Sequence, residues 1–115
     1  MPAKTLLRFV RDVLEDAKGQ NLQVIDVRKL TDITDYMLLV TGTSTRHVLS
    51  MMDKVVQSVR QRGERPLGVE GEDAGEWVLI DLGDVVVHIM RAQARSFYNL
   101  EKLWGADAAF DALEV

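Results

Sequence analysis

Glu76 to Met90 reads EWVLIDLGDVVVHIM: two aliphatic-rich runs, Glu76 to Leu82 and Val85 to Met90, separated only by Gly83-Asp84. A two-residue loop with glycine first suits a β-hairpin. Pairing across it sets Leu82 against Val85, Asp81 against Val86, Ile80 against Val87, Leu79 against His88, Val78 against Ile89 and Trp77 against Met90. Directly paired residues share a face. One face is then Val78, Ile80, Leu82, Val85, Val87 and Ile89, wholly aliphatic and bound for the core. The other carries Trp77, Leu79, Asp81, Val86, His88 and Met90. Its mixture of an aromatic, aliphatics, one carboxylate and one imidazole is closer to a binding surface or a half-covered layer than to deep interior.

Upstream, Tyr36-Met37-Leu38-Leu39-Val40 is an unbroken apolar run of strand length, as expected of a central strand covered on both faces. The turn Thr41-Gly42-Thr43-Ser44-Thr45-Arg46-His47 leads from it into a helix whose apolar face is Val48, Met52, Val55, Val56 and Val59, ending at Gly63. Before the central strand, Leu6, Val10, Val13, Leu14 and Ala17 recur at helical steps, predicting a helix over about residues 5 to 18 with Gly19 as its stop. Leu22 to Arg28 is rich in β-branched residues but alternates imperfectly, which fits a strand near one side of a sheet. Thr31 to Asp35 holds turn-forming polar residues. Pro66 to Val69 has room for a minor strand, and Glu70 to Gly75 reads as an acidic, flexible loop. After Met90, Phe97, Leu100 and Trp104 fall at helical intervals within Arg91 to Trp104.

The order helix, strand, strand, helix, short strand, hairpin, helix describes a single α/β domain with a mixed β-sheet of about five strands flanked by helices. The domain spans residues 1–104. Residues 105–115 form an alanine- and acid-rich tail expected to be a short helix or weakly ordered.

Composition narrows the function. The chain has 115 residues, 47% of them hydrophobic, and a net charge of −4. That suits one globular domain and disfavours disorder. No apolar run approaches the roughly 18 residues needed to cross a bilayer. With no cysteine and two histidines, disulfides, thiolate zinc sites, iron–sulfur clusters and cysteine nucleophiles are excluded. Met1-Pro2-Ala3-Lys4 lacks the pattern of a secretory signal, so a cytoplasmic address is expected. A pI near 5.1 argues against nucleic-acid binding by general surface charge.

Each chemical motif competes with a plainer reading. TGTSTRH after a buried strand resembles a phosphate cradle, but it has neither a P-loop lysine nor three spaced glycines, so an ordinary helix cap is favoured. Arg46 and His47 then read as exposed polar side chains. Asp81 and Asp84 could supply hard oxygen ligands to magnesium in a phosphoryl or nucleotidyl transferase. Asp84, however, lies where turns favour aspartate for backbone reasons. His88 shares a face with Asp81, as an acid–base pair would, yet no serine nucleophile accompanies them. Arg60, Arg62 and Arg65 could touch nucleic acid, though cations at a helix C-terminus also complement the dipole. Trp104 at helical spacing suits the core, whereas Trp77 is balanced between core and contact.

Taken together and in order, Thr34-Asp35-Tyr36, TGTSTRHV, PLGVEG, EWVLIDLGDVVVHIM and FYNLEKLW resemble the ribosomal silencing factor family, also called the RsfS or Iojap family. The resemblance runs from about Lys4 to Trp104. It implies a nucleotidyltransferase-like topology, but the paired acids that superfamily places after its glycine–serine helix are missing here, so catalysis is not expected. It further implies a cytosolic bacterial protein, or an organellar relative, that binds ribosomal protein fourteen of the large ribosomal subunit and obstructs joining of the small one. The partner-binding pattern falls on Trp77, Asp81, Asp84, His88, Tyr98 and Asn99. No cofactor, metal or membrane is implied, little direct RNA contact is expected, and the family includes dimers, so a homodimer of the free protein is compatible. A large-subunit assembly factor using the same contact, and a magnesium-dependent nucleotidyltransferase using Asp81, Asp84 and the Thr43-Ser44 turn, are the alternatives.

Overall fold

The computed structural model describes residues 1–98. Its elements are α1 (Ala3–Asp16), β1 (Gln20–Asp26), β2 (Tyr36–Gly42), α2 (Thr45–Gln61), β3 (Gly68–Glu70), β4 (Trp77–Asp81), β5 (Val85–Arg91) and α3 (Ala92–Tyr98). The strands form one sheet in the order β1-β2-β5-β4-β3. β2 and β5 run parallel, and the remaining neighbours are antiparallel. The sheet is therefore mixed, as expected. Because α2 carries the chain back across one face, β3 can lie parallel to β2 at the far edge.

The hairpin register is the expected one, from Trp77 beside Met90 to Asp81 beside Val86. Leu82 N–H donates to the Val85 carbonyl at 2.9 Å, closing the two-residue turn, and Gly83 takes a φ of 89°. The aliphatic face joins Leu38 and Val40 of β2 beneath α1 and α2. Each such fully buried aliphatic side chain is worth about 1.5–3 kcal/mol. β2 is buried along its whole length.

Several local expectations are corrected. α1 begins and ends about two residues early, and β1 runs from Gln20 to Asp26 rather than from Leu22 to Arg28. Arg28 instead turns back onto Asp26 as an ion pair of 2.6 Å. In α2 the buried positions are Val48, Met51, Val55 and Val59, with Met52 and Val56 half-buried beside them. The stripe is rotated because the helix enters the sheet face through Met51, four residues before Val55. The mixed hairpin face is only partly open: Met90 is fully buried and His88 is 5% exposed. A second, smaller cluster of Ile25, Val27, Met37, Leu39 and Met90, with Ala94 of α3 against it, covers that side. The segment from Glu70 to Gly75 is an exposed turn that closes on itself, Gly75 N–H donating to the Gly71 carbonyl at 3.1 Å, with only Gly75 buried. Leu100, Trp104 and the tail 105–115 lie outside the described residues.

Candidate partner-binding site

Trp77 opens β4 and His88 lies within β5, one residue pair apart on the same face. The indole N–H of Trp77 donates to His88 Nδ1 at 2.9 Å, and the rings tilt at 41° with centroids 5.8 Å apart. Since Nδ1 accepts, the imidazole proton sits on Nε2. Burial pushes the His88 pKa down to about 4, because the surrounding apolar layer disfavours the cation. The ring is thus neutral near pH 7 and fixes the half-buried indole.

The other expected site residues are distributed differently. Asp81 Oδ1 accepts from Gly83 N–H at 2.9 Å, so this carboxylate shapes the hairpin turn and does not pair with His88. The Asp84 side chain is exposed, while its carbonyl receives the amides of Asp35 and Tyr36, both at 3.1 Å. Asp81 shares the face of Trp77 but stands four residues along the strand, about 13 Å away at normal strand rise. Among the described residues no cluster of three or more histidine and carboxylate groups is arranged to hold a metal. Tyr98 closes α3, and Asn99 lies outside the described residues.

The Thr43-Ser44 turn is occupied from within. Ser44 Oγ accepts from His47 N–H at 3.0 Å, the capping bond expected at a helix start. Thr43 N–H donates to His47 Nδ1 at 2.9 Å, and His47 Nε2 bonds to the Ala17 carbonyl at 2.8 Å. His47 is thus half-buried and not the exposed side chain expected: it ties the start of α2 to the end of α1. His47→Ala is expected to lower stability by about 2 kcal/mol through two lost hydrogen bonds, whereas Arg46→Ala, at an exposed neighbour, should change it by under about 0.5 kcal/mol. Urea midpoints of the two variants distinguish these roles. In the basic cluster, Arg62 lies over the Phe9 ring at 4.7 Å, a structural cation–π contact.

Two anchors were not singled out in the sequence. Arg95 of α3 donates to the Asn21 carbonyl at 2.7 Å and to Thr41 Oγ1 at 2.9 Å, clasping β1 and β2. Glu76, next to Trp77, pairs with Arg91 at 3.3 Å. Arg95 lies far in sequence from both of its partners, so no spacing rule could have found it, whereas Glu76 and Arg91 stand opposite each other one step beyond Trp77 and Met90 in the hairpin register.

A five-stranded mixed sheet with two helices on one side, and a hydrogen-bonded tryptophan–histidine pair on the other, defines the class: a single α/β domain whose distinctive chemistry lies on a sheet face. The family described as "Ribosomal silencing factor during starvation" matches residues 1–114, and the chain belongs to that family. A ribosomal silencing factor RsfS of Haemophilus influenzae is 40% identical, over 86% of this chain and 97% of that protein. The crystal structure of a Chromobacterium violaceum protein superimposes with a TM-score of 0.89 at 38% identity, covering 91% of this chain and 88% of that one. A mouse protein named "Mitochondrial assembly of ribosomal large subunit protein 1" is 33% identical over 89% of this chain and 46% of its own length.

Proposed function

We propose that this domain is a cytoplasmic ribosomal silencing factor that binds the large ribosomal subunit through ribosomal protein fourteen of that subunit and blocks association with the small subunit by occupying space, repressing translation. The observation that carries this reading is the Trp77–His88 pair on the sheet face opposite α1 and α2. An aromatic held in one orientation by a neutral imidazole is a preorganised anchor, and such residues dominate the energetics of protein interfaces. The acidic chain complements a basic ribosomal protein. No bond is made or broken, so no cofactor or metal enters, and RNA contributes little direct contact.

Trp77→Ala is expected to weaken binding to purified large subunits by about 2 kcal/mol, roughly thirtyfold. Co-sedimentation titrations with large and small subunits, beside a melting curve of the variant, read this out. Unchanged affinity in a folded variant removes Trp77 from the site. A second reading, assembly of the large subunit through the same contact, is favoured by the mouse relative's name. It predicts immature large subunits in cells lacking the protein even during growth.

A further inference from the structure

Among the described residues three large hydrophobic side chains are strongly exposed: Leu30 at 50%, Ile33 at 84% and Leu67 at 74%. Scattered singly, such residues need no explanation. These three stand at one end of the sheet. Leu30 and Ile33 lie between β1 and β2, at the end of the sheet where Asp26 faces Tyr36. Tyr36 in turn faces Val85, directly after the Gly83-Asp84 turn. Leu67 precedes β3 at the same end, its amide on the Asp81 carbonyl at 2.7 Å, and a Cβ placed on Gly83 would stand 3.7 Å from its Cδ1. With strands about 4.8 Å apart, the five strand ends make a rim roughly 20 Å wide.

The rim is held, not loose. Leu30 and Thr31 both donate to the Val27 carbonyl, at 2.9 and 3.0 Å, and Ile33 N–H donates to Thr31 Oγ1 at 3.1 Å. Asp35 and Tyr36 tether the segment to Asp84. The charges between the apolar residues are mainly negative: Asp32, Asp35, Asp81 and Asp84, against Lys29 and Arg65. Arg28 is engaged by Asp26, whose carboxyl it holds below the usual range.

We infer that this rim, Leu30, Ile33 and Leu67 around the Gly83-Asp84 turn, is a second docking point for a protein segment carrying apolar side chains flanked by lysine or arginine. The apolar residues supply desolvation and the aspartates supply orientation. Phosphate-rich RNA is repelled by the same aspartates. This rests on the proposed docking to the large subunit and extends its footprint from Trp77 down β4 to the turn. It gives the exposed Asp84 carboxylate a role that the Trp77–His88 pair leaves open.

The test compares wild type, the triple variant Leu30→Ser/Ile33→Ser/Leu67→Ser and the charge reversal Asp32→Lys/Asp84→Lys in co-sedimentation with purified large subunits at two salt concentrations. Melting curves and sedimentation equilibrium accompany them. All five positions stand outside the helices and strands with exposed side chains, so both variants are expected to fold. Each is expected to lose at least tenfold in affinity, and the reversal also to flatten the salt dependence. Wild-type binding with both variants unimpaired overturns the inference alone. Loss of wild-type self-association in the triple variant, with subunit binding intact, also overturns it by assigning the rim to a second copy. A wild-type protein that does not bind large subunits overturns the functional reading, and this inference with it.

Discussion

Gly71→Ala is expected to lower stability by about 3 kcal/mol, a large fraction of what a domain of this size possesses. Gly71 has a φ of 89°, where a side chain is strained whatever its surroundings. Here the surroundings are also closed: an added Cβ would collide with the carbonyl oxygen of Trp77 and lie 3.1 Å from its carbon. Backbone cannot step aside as a flexible side chain can, so the 70–75 turn or the start of β4 must move. Gly63 provides the comparison, with a φ of 81° and nothing within 4 Å of an added Cβ. Gly63→Ala should therefore cost only about 1 kcal/mol. Urea titrations of the two variants measure the difference from midpoints at constant slope. Equal costs would mean that the turn is not packed against Trp77. In the expected outcome Gly71→Ala also perturbs Trp77 fluorescence and Gly63→Ala does not.

Acid is expected to remove about 3 kcal/mol of stability through His88 alone as the pH falls from about 6.5 to about 4. The folded imidazole has a pKa of about 4 against an ordinary value near 6.5. Between those limits the unfolded chain binds a proton that the folded chain refuses, so stability is full above pH 6.5 and declines toward pH 4. Asp26 acts in a different window. Its carboxyl is held below the usual value of 3.8 by the hydrogen bond from Arg28, so the stability it contributes is present above about pH 3.8 and is lost below it. His88→Gln separates the two, because glutamine can still accept the Trp77 N–H but cannot titrate. Stability measured against pH should fall in wild type and stay nearly level in His88→Gln over this window. Parallel curves would show that burial of His88 does not depress its pKa. Near neutral pH the Trp77–His88 bond is insensitive to small pH changes.

What sequence could reveal follows the range of each interaction. The hairpin was legible because a two-residue loop fixes the register by counting, and a register fixes both faces. β2 was legible because a strand covered on both sides needs an unbroken apolar run. The rotation of α2 toward Met51 was not, since Met51, Met52, Val55 and Val56 leave two stripes open and only the sheet decides between them. The same limit applies at the site. Trp77 and His88 were placed on one face by alternation, but their hydrogen bond depends on adjacent residue pairs and a chosen tautomer. Asp81 read as a ligand or contact residue, and its bond to Gly83 shows the local turn role that short-range aspartates commonly take. His47 read as exposed because its partner, the Ala17 carbonyl, lies 30 residues away. The packing of Gly71 on Trp77 was hidden beneath an acidic composition that suggested flexibility.

In the proposed function this domain silences ribosomes by occupying a surface. The most direct measurement mixes purified large and small subunits with increasing amounts of the protein and resolves joined ribosomes from free subunits on a gradient. The protein is expected to migrate with the large subunit, joined ribosomes to decline in proportion to its occupancy, and Trp77→Ala to shift the decline to about thirtyfold higher concentration. Saturating binding to the large subunit with joining undiminished would contradict it.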